Sequence, residues 1–245
     1  MTGDAATSDP ATARGVALVT GAAGGLGRAI VSRLGRGGWE VAAATHRDGP
    51  LAADLGDPAQ AGSLVDRVIG MWGRLDLIVA NHAAMSMAPV DEHPLDDWWR
   101  IVDTNLSGSF HLARAAVPHL RATNGAIIFV SSEWGVTGWP DASAYAASKA
   151  GLIGLTRALA RELAPDVRVN AIAPGVVDTP QLEVDAADAG IPLAEIRRRY
   201  AAASPLRRIA SPDEIAASIE FLASAAAAYY TGQVLHPNGG TTTAS

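Results

Sequence analysis

Tyr145 and Lys149 stand four residues apart, and Ser132 lies thirteen residues before Tyr145, so one short stretch holds three side chains that can manage a proton on an oxygen atom. The good helix formers of Ser143–Leu163, with leucines at 152, 155, 159 and 163, predict a helix that carries Tyr145 and Lys149 on one face. A free phenol has a pKa of about 10 and is almost fully protonated at neutral pH. A fixed ammonium beside it favours the phenolate, so the spacing predicts a lowered Tyr145 pKa and a usable proton carrier. Residues 126–130 form a β-branched apolar run that reads as a buried strand, ending where Ser132 points a hydroxyl into a crevice. Each residue alone has an ordinary reading, as a turn serine, a helix tyrosine or a solvated lysine. Their combination, together with the loop described next, argues for chemistry.

That loop follows the first predicted strand, residues 16–20, without a linker. Gly21, Gly24, Gly25, Leu26 and Gly27 lead into a helix with Leu26, Ile30 and Leu34 on one side. Strand, glycine loop and helix in this order suit a pyrophosphate: glycines let the backbone come close, and the helix start offers free N–H groups and a positive dipole end. The second strand, 40–44, ends in Thr45, His46 and Arg47, where many dinucleotide sites place a carboxylate for the ribose hydroxyls. A cation there favours the 2′-phosphate of NADP(H) over NAD(H). One charge-assisted hydrogen bond of about 1.5–3 kcal/mol corresponds to roughly a 10- to 150-fold preference.

The remaining elements must position these groups. Residues 51–55 read as a third strand, although the connection after Arg47 leaves little room for a crossover helix. Asp57, Pro58 and Gln60 have the order of a helix start, opening a helix through Val65, Val68 and Ile69. A strand over 75–80 delivers Asn81 and Ala83, and a long helix from about Leu95 carries Trp98, Ile101 and Leu106 on its core side with Asn105 beside them. A strand over 168–173 is broken by Pro174 and Gly175. Residues 176–206 form a proline-containing segment with a short helix near 196–202, placed where a substrate lid belongs. Ser211 and Glu214 form a capping box for the last helix, and 233–236 is the final strand.

Composition narrows the function. The 245 residues carry a net charge of −6 without a basic stripe, so nucleic acid is not an expected partner. Cysteine is absent, which excludes disulfides and thiolate chemistry, and the six histidines show no pair at metal-ligand spacing. Residues 1–14 read as a disordered tail and 15–245 as one domain. No apolar run is long enough for a membrane span, and the expected location is the cytoplasm.

Taken in order, the loop from Thr20 to Gly27, Asp54, Asn81 to Ala84, Asn105, Ser132, Tyr145 with Lys149, and Pro174–Gly175 resemble the single-domain short-chain dehydrogenase/reductases, most closely the 3-oxoacyl-acyl-carrier-protein reductases. The resemblance covers roughly residues 15 to 240. It implies a Rossmann-like, doubly wound, mainly parallel sheet of seven strands with helices on both faces, and a homotetramer or homodimer. It further implies that Asp54 and Leu55 border adenine, Asn81 and Ala83 the adenosine ribose, and Thr179 the nicotinamide amide, with Val177 also among the cofactor-binding residues. Asn105 would hold a water next to Lys149. His82 and Ala84 depart from the usual asparagine and glycine.

On this reading hydride passes reversibly between nicotinamide and a ketone or secondary alcohol, free or linked to an acyl carrier. Ser132 binds the substrate oxygen, Tyr145 moves the proton, and Lys149 tunes the phenol and holds the nicotinamide ribose. Glu133, Trp139, Gln181 and Leu182 are candidate substrate contacts. Arg197, Arg198 and Arg199 read either as a contact for an acidic carrier or as a solvated face. The alternatives are an NAD-dependent polyol or alcohol dehydrogenase, an idle NADP-binding sensor, and an epimerase or dehydratase.

Overall fold

The computed structural model describes residues 14–243. The tail expected for residues 1–14 therefore lies outside the described residues except for Arg14, whose N–H donates to Gly38 O at 2.8 Å. Six strands form one sheet: β1 (Val16–Val19), β2 (Glu40–Ala43), β3 (Leu77–Ala80), β4 (Ala126–Val130), β5 (Arg168–Ile172) and β6 (Val234–Leu235). Their order is β2-β1-β3-β4-β5-β6 and every pairing is parallel. From β1 the chain moves outward to β2, then returns past β1 to β3 and proceeds the other way. The strand ends diverge at that switch, and the crevice this opens is where open α/β sheets bind ligands.

Helices cover both faces, as a wholly parallel sheet requires. Alternation along the strands divides the core. Leu18, Ile78, Ile127 and Phe129 face one layer, packed with Leu64 of α2 (Pro58–Trp72), Leu112 of α4 (Gly108–Thr123) and Leu152 of α6 (Ser143–Leu163). Ala17, Val19, Val79 and Ile128 face the other, against Ile30 and Leu34 of α1 (Gly25–Arg36) and Ile215 and Ile219 of α9 (Pro212–Ala223). The cap signals are present: Asp57 Oδ1 accepts from Ala59 N at 2.8 Å, and Ser211 and Glu214 form the reciprocal box at 3.3 and 2.9 Å. None of the helices among the described residues is long and apolar enough to cross a membrane.

The expected seventh strand is not there. Residues 51–55 make a single bridge, Ala52 to Thr45, although Leu51, Ala53 and Leu55 are buried as alternation predicts. A parallel neighbour needs a crossover of a dozen residues or so, and the few after Thr45 only allow a loop that folds back onto the core. The long helix expected from Leu95 is three consecutive pieces: α3 (Leu95–Val102), a π-helical turn (Asp103–Ser107) and α4. The 176–206 segment is more regular than expected, with α7 (Gln181–Asp188) and α8 (Leu193–Ala203) joined through Leu182, Ala186 and Ile196. Its small separate core makes it a self-contained cover at the carboxyl end of β5.

Candidate active site

A cleft of about 730 Å³ runs along the carboxyl ends of the strands, bordered by the glycine loop, the β3 and β4 ends and the α7–α8 cover. That volume is in the range of pockets that take cofactor-sized ligands. On the first side, Gly21 has φ +62°, a left-handed conformation. A Cβ at Gly27 would stand 2.1 Å from Gly21 O, so only glycine lets α1 start so close to the loop. Gly24 caps α1 without a side-chain bond and no acid lies in the first turn, leaving the positive helix end open to an anion. A Cβ on Gly25 would come within 2.9 Å of Thr179 and Pro180, so the cover lies directly over this loop. These features fit a dinucleotide pyrophosphate.

On the opposite side, β4 ends at Val130, and Ser131 N–H continues the ladder to Ile172 O at 2.7 Å. Ser132 lies just beyond, accepting Trp134 N–H at 3.2 Å and hydrogen-bonding the Tyr145 hydroxyl. Helix α6 spans the interval the sequence predicts, and its face carries both Tyr145 and Lys149 into the cleft. Lys149 is almost wholly buried, with Nζ 2.8 Å from Val130 O and 5.5 Å from the Tyr145 ring centre. It is also the single lysine of the chain; the other cations among the 19 Lys and Arg residues are arginines.

The expected lowering of the phenol pKa is not what this geometry gives. Burial pushes Tyr145 up to about 12, opposed by its bond to Ser132, and pushes Lys149 down to about 8. Desolvation disfavours both charged forms and is the largest cause of each shift.

Asn105 is fully buried in the π-helical turn rather than lining the cleft. Its amide Nδ2 donates to Ala84 O at 2.9 Å and Ser148 Oγ at 3.0 Å, and Oδ1 accepts Ala84 N–H at 2.7 Å. Ser148 Oγ donates to Tyr145 O at 2.8 Å, so Asn105 braces the first turns of α6. His82, one of the departures, is half-buried and held neutral, with its pKa driven down to about 3 by desolvation and then by Lys149. Its Nδ1 is 2.7 Å from Thr20 Oγ1 and its Nε2 3.4 Å from Ser109 Oγ, joining the glycine loop to the helix below Asn105.

Thr45, His46, Asn81, Ala83, Pro174, Gly175, Val177, Thr179, Gln181 and Leu182 line the cleft, as does Glu133. Arg47 is exposed just beyond that lining. Asp54 and Leu55 lie outside that lining: Asp54 is exposed, with Oδ1 accepting Gly56 N–H at 3.0 Å, and Leu55 is buried in the core. Trp139 stands behind the wall, stacked on Trp134 at 5.0 Å and 7°. The three arginines are paired with acids, Arg197 with Asp178 at 2.9 Å and Arg198 and Arg199 with Glu195. Sequence reasoning missed Arg28, Met85, Trp134, Asp185 and Tyr200 in the lining. Only Trp134 carried a legible signal, its place directly after Ser132 and Glu133.

A family profile described as enoyl-(acyl carrier protein) reductase matches residues 21–242. The chain is 38% identical to cis-4-hydroxycyclohexanecarboxylate dehydrogenase of Sinomonas cyclohexanicum, covering 95% of this chain and 98% of that one. It is 36% identical to 3-oxoacyl-[acyl-carrier-protein] reductase of Thermotoga maritima, over 92% and 96% of the two chains. Among solved structures, ligand-free aldohexose dehydrogenase of Thermoplasma acidophilum superposes with a TM-score of 0.91 at 29% identity, covering 96% and 97%.

Two expectations follow from this geometry. With lysine isotopically labelled, the one side-chain ammonium resonance should titrate near pH 8 in the ligand-free protein; a midpoint above 10 would contradict its desolvation. Gly27→Ala forces a backbone collision and should weaken dinucleotide binding, followed by fluorescence titration with NADH and NADPH, by roughly tenfold or more. Unchanged affinity would show that the loop does not need this close approach.

Proposed function

Because the chain belongs to the short-chain dehydrogenase/reductase family, whose members act on CH–OH and C=O groups, we propose that it is an NADP(H)-dependent oxidoreductase interconverting a ketone and a secondary alcohol. The observation that carries this reading is the joint placement of Ser132, Tyr145 and Lys149 in the cleft that the glycine loop opens onto. When bound, the nicotinamide supplies or accepts the hydride. In the reduction direction the Tyr145 hydroxyl gives its proton to the substrate oxygen as the carbonyl carbon is reduced, while Ser132 hydrogen-bonds that oxygen and fixes its distance. In oxidation the proton returns by the same path. Lys149, anchored on Val130 O, places positive charge beside the phenolate that forms. Asn105 acts as a positioning residue, holding the Tyr145 turn through Ser148.

The glycine loop and the α1 N-terminus would hold the pyrophosphate, with Asn81, Ala83, Val177 and Thr179 along the rest of the dinucleotide. For the 2′-phosphate, the end of β2 offers Thr45 and His46, and Arg47 stands exposed at the rim. The paired state of Arg197, Arg198 and Arg199 does not favour them as a dock for an acidic carrier, so small free ketones are the preferred substrates. A homotetramer or homodimer belongs to the same reading, with exposed Trp99 and Phe110 available for contacts between copies. The names of two relatives, both dehydrogenases, favour testing alcohol oxidation with NAD as the second reading.

NADPH absorbance followed against a panel of ketones, repeated with NADH and with alcohols plus the oxidised cofactors, tests the class. Net oxidation or reduction of nicotinamide is expected, whereas binding without turnover would mark a sensor. Tyr145→Phe should lower kcat by about 10²- to 10⁴-fold while leaving cofactor affinity in place, and near-normal turnover would remove Tyr145 as the acid. Arg47→Ala should cut the NADPH over NADH preference by roughly 10- to 150-fold; an unaltered ratio would assign discrimination to other residues.

A further inference from the structure

The substrate side of the cleft combines a flat apolar wall with two carboxylates. Ser132, Glu133 and Trp134 are consecutive and all line it, so a hydroxyl, a carboxylate and an indole belong to one wall of the cleft. Trp134 stacks on the parallel, exposed Trp139 ring at 5.0 Å, and it meets the Tyr145 ring edge-on at 5.9 Å and 82°. A ring lying on that indole would therefore sit beside the phenol. Met85 and Leu182 add further apolar lining.

Glu133 is buried, with its N–H donating to Pro174 O at 2.9 Å and its Oε2 accepting from Thr241 Oγ1. Asp185 of α7 accepts from Gln181 Nε2 at 3.1 Å and from Tyr200 Oη at 3.3 Å. All these donors are neutral, and neither carboxylate forms an ion pair among the described residues. Of the Lys and Arg side chains that line the cleft, Arg28 donates to Ala23 O in the glycine loop and Lys149 to Val130 O, so neither is paired with these carboxylates. An anionic substituent set beside Glu133 or Asp185 would thus meet a carboxylate that no cation of the described residues pairs with.

Resting on the oxidoreductase reading above, we infer that the substrate is an uncharged ring-bearing ketone or its secondary alcohol, alicyclic or aromatic, selected by the Trp134 face and protected from anionic competitors by Glu133 and Asp185. Apolar contact over an indole stabilises the ring. The carboxylates work as the repulsive half of specificity, since like charges interact strongly where water is displaced.

A matched pair of probes separates this inference from the reading it rests on. 4-Oxocyclohexanecarboxamide and 4-oxocyclohexanecarboxylate share ring, ketone and size and differ in charge. The amide is expected to show about tenfold or higher kcat/KM with the wild-type protein, and the double substitution Glu133→Gln, Asp185→Asn should draw the ratio toward one. Trp134→Ala should lower kcat/KM for the ring amide more than for the open-chain 4-oxopentanamide. A wild-type ratio below about fivefold, or carboxylate preferred, would overturn the charge selection whatever the variants do. Equal losses on ring and open-chain amides would overturn the role of the indole. Absence of nicotinamide oxidation or reduction with every ketone and alcohol would overturn the oxidoreductase reading instead.

Discussion

The arrangement depends on an amine and a phenol desolvated together at the end of one strand. Water would let Lys149 and Tyr145 ionise independently; inside the protein each is pushed toward its neutral form, and their nearest anchors are Val130 O and Ser132. In such surroundings an arriving charge has a large effect, because little solvent remains to screen it. Burial raises the proton affinity of the phenol and leaves it sensitive to the charges brought beside it in the cleft.

Holding this pair in place requires contacts from elements distant in sequence. The parallel sheet sends all strand ends to one edge, so residues following β1, β3, β4 and β5 become neighbours. A chain of polar contacts then crosses between them: Thr20 to His82, His82 to Ser109, Asn105 to Ser148, and Ser148 to the Tyr145 carbonyl. Buried polar groups in a satisfied network of this kind fix one arrangement, since any alternative leaves a donor or acceptor unpaired. The asparagine-to-histidine departure at position 82 is accommodated by that network, with the ring spanning two hydroxyls.

Much of this was legible in the residues because the signals were local. Helix α6, strand β4, the glycine loop and the caps at Asp57 and Ser211 each follow from a run of adjacent side chains. What failed was long-range. Residues 51–55 have the alternation of a strand, but connection length decided against one. The prolines of residues 176–206 point to a single short helix, whereas the second helix rests on the packing among Leu182, Ala186 and Ile196, which only the folded chain creates. Spacing placed Lys149 near Tyr145 correctly, yet the sign of the pKa shift depended on burial, a property of the whole cleft. Asp185 and Tyr200 enter the lining from two different helices, and no motif announced them.

The sole lysine also shapes how this chain meets the chemistry of a cell. Every other side-chain cation is a guanidinium, which neither loses its proton at physiological pH nor serves as an acceptor for acetyl or acyl groups. Reagents that modify lysine find no ε-amino group on the exterior, and the one they could modify is enclosed between β4 and α6. Lysine acylation of this protein is thereby confined to a single side chain, and it would remove the amine beside Tyr145.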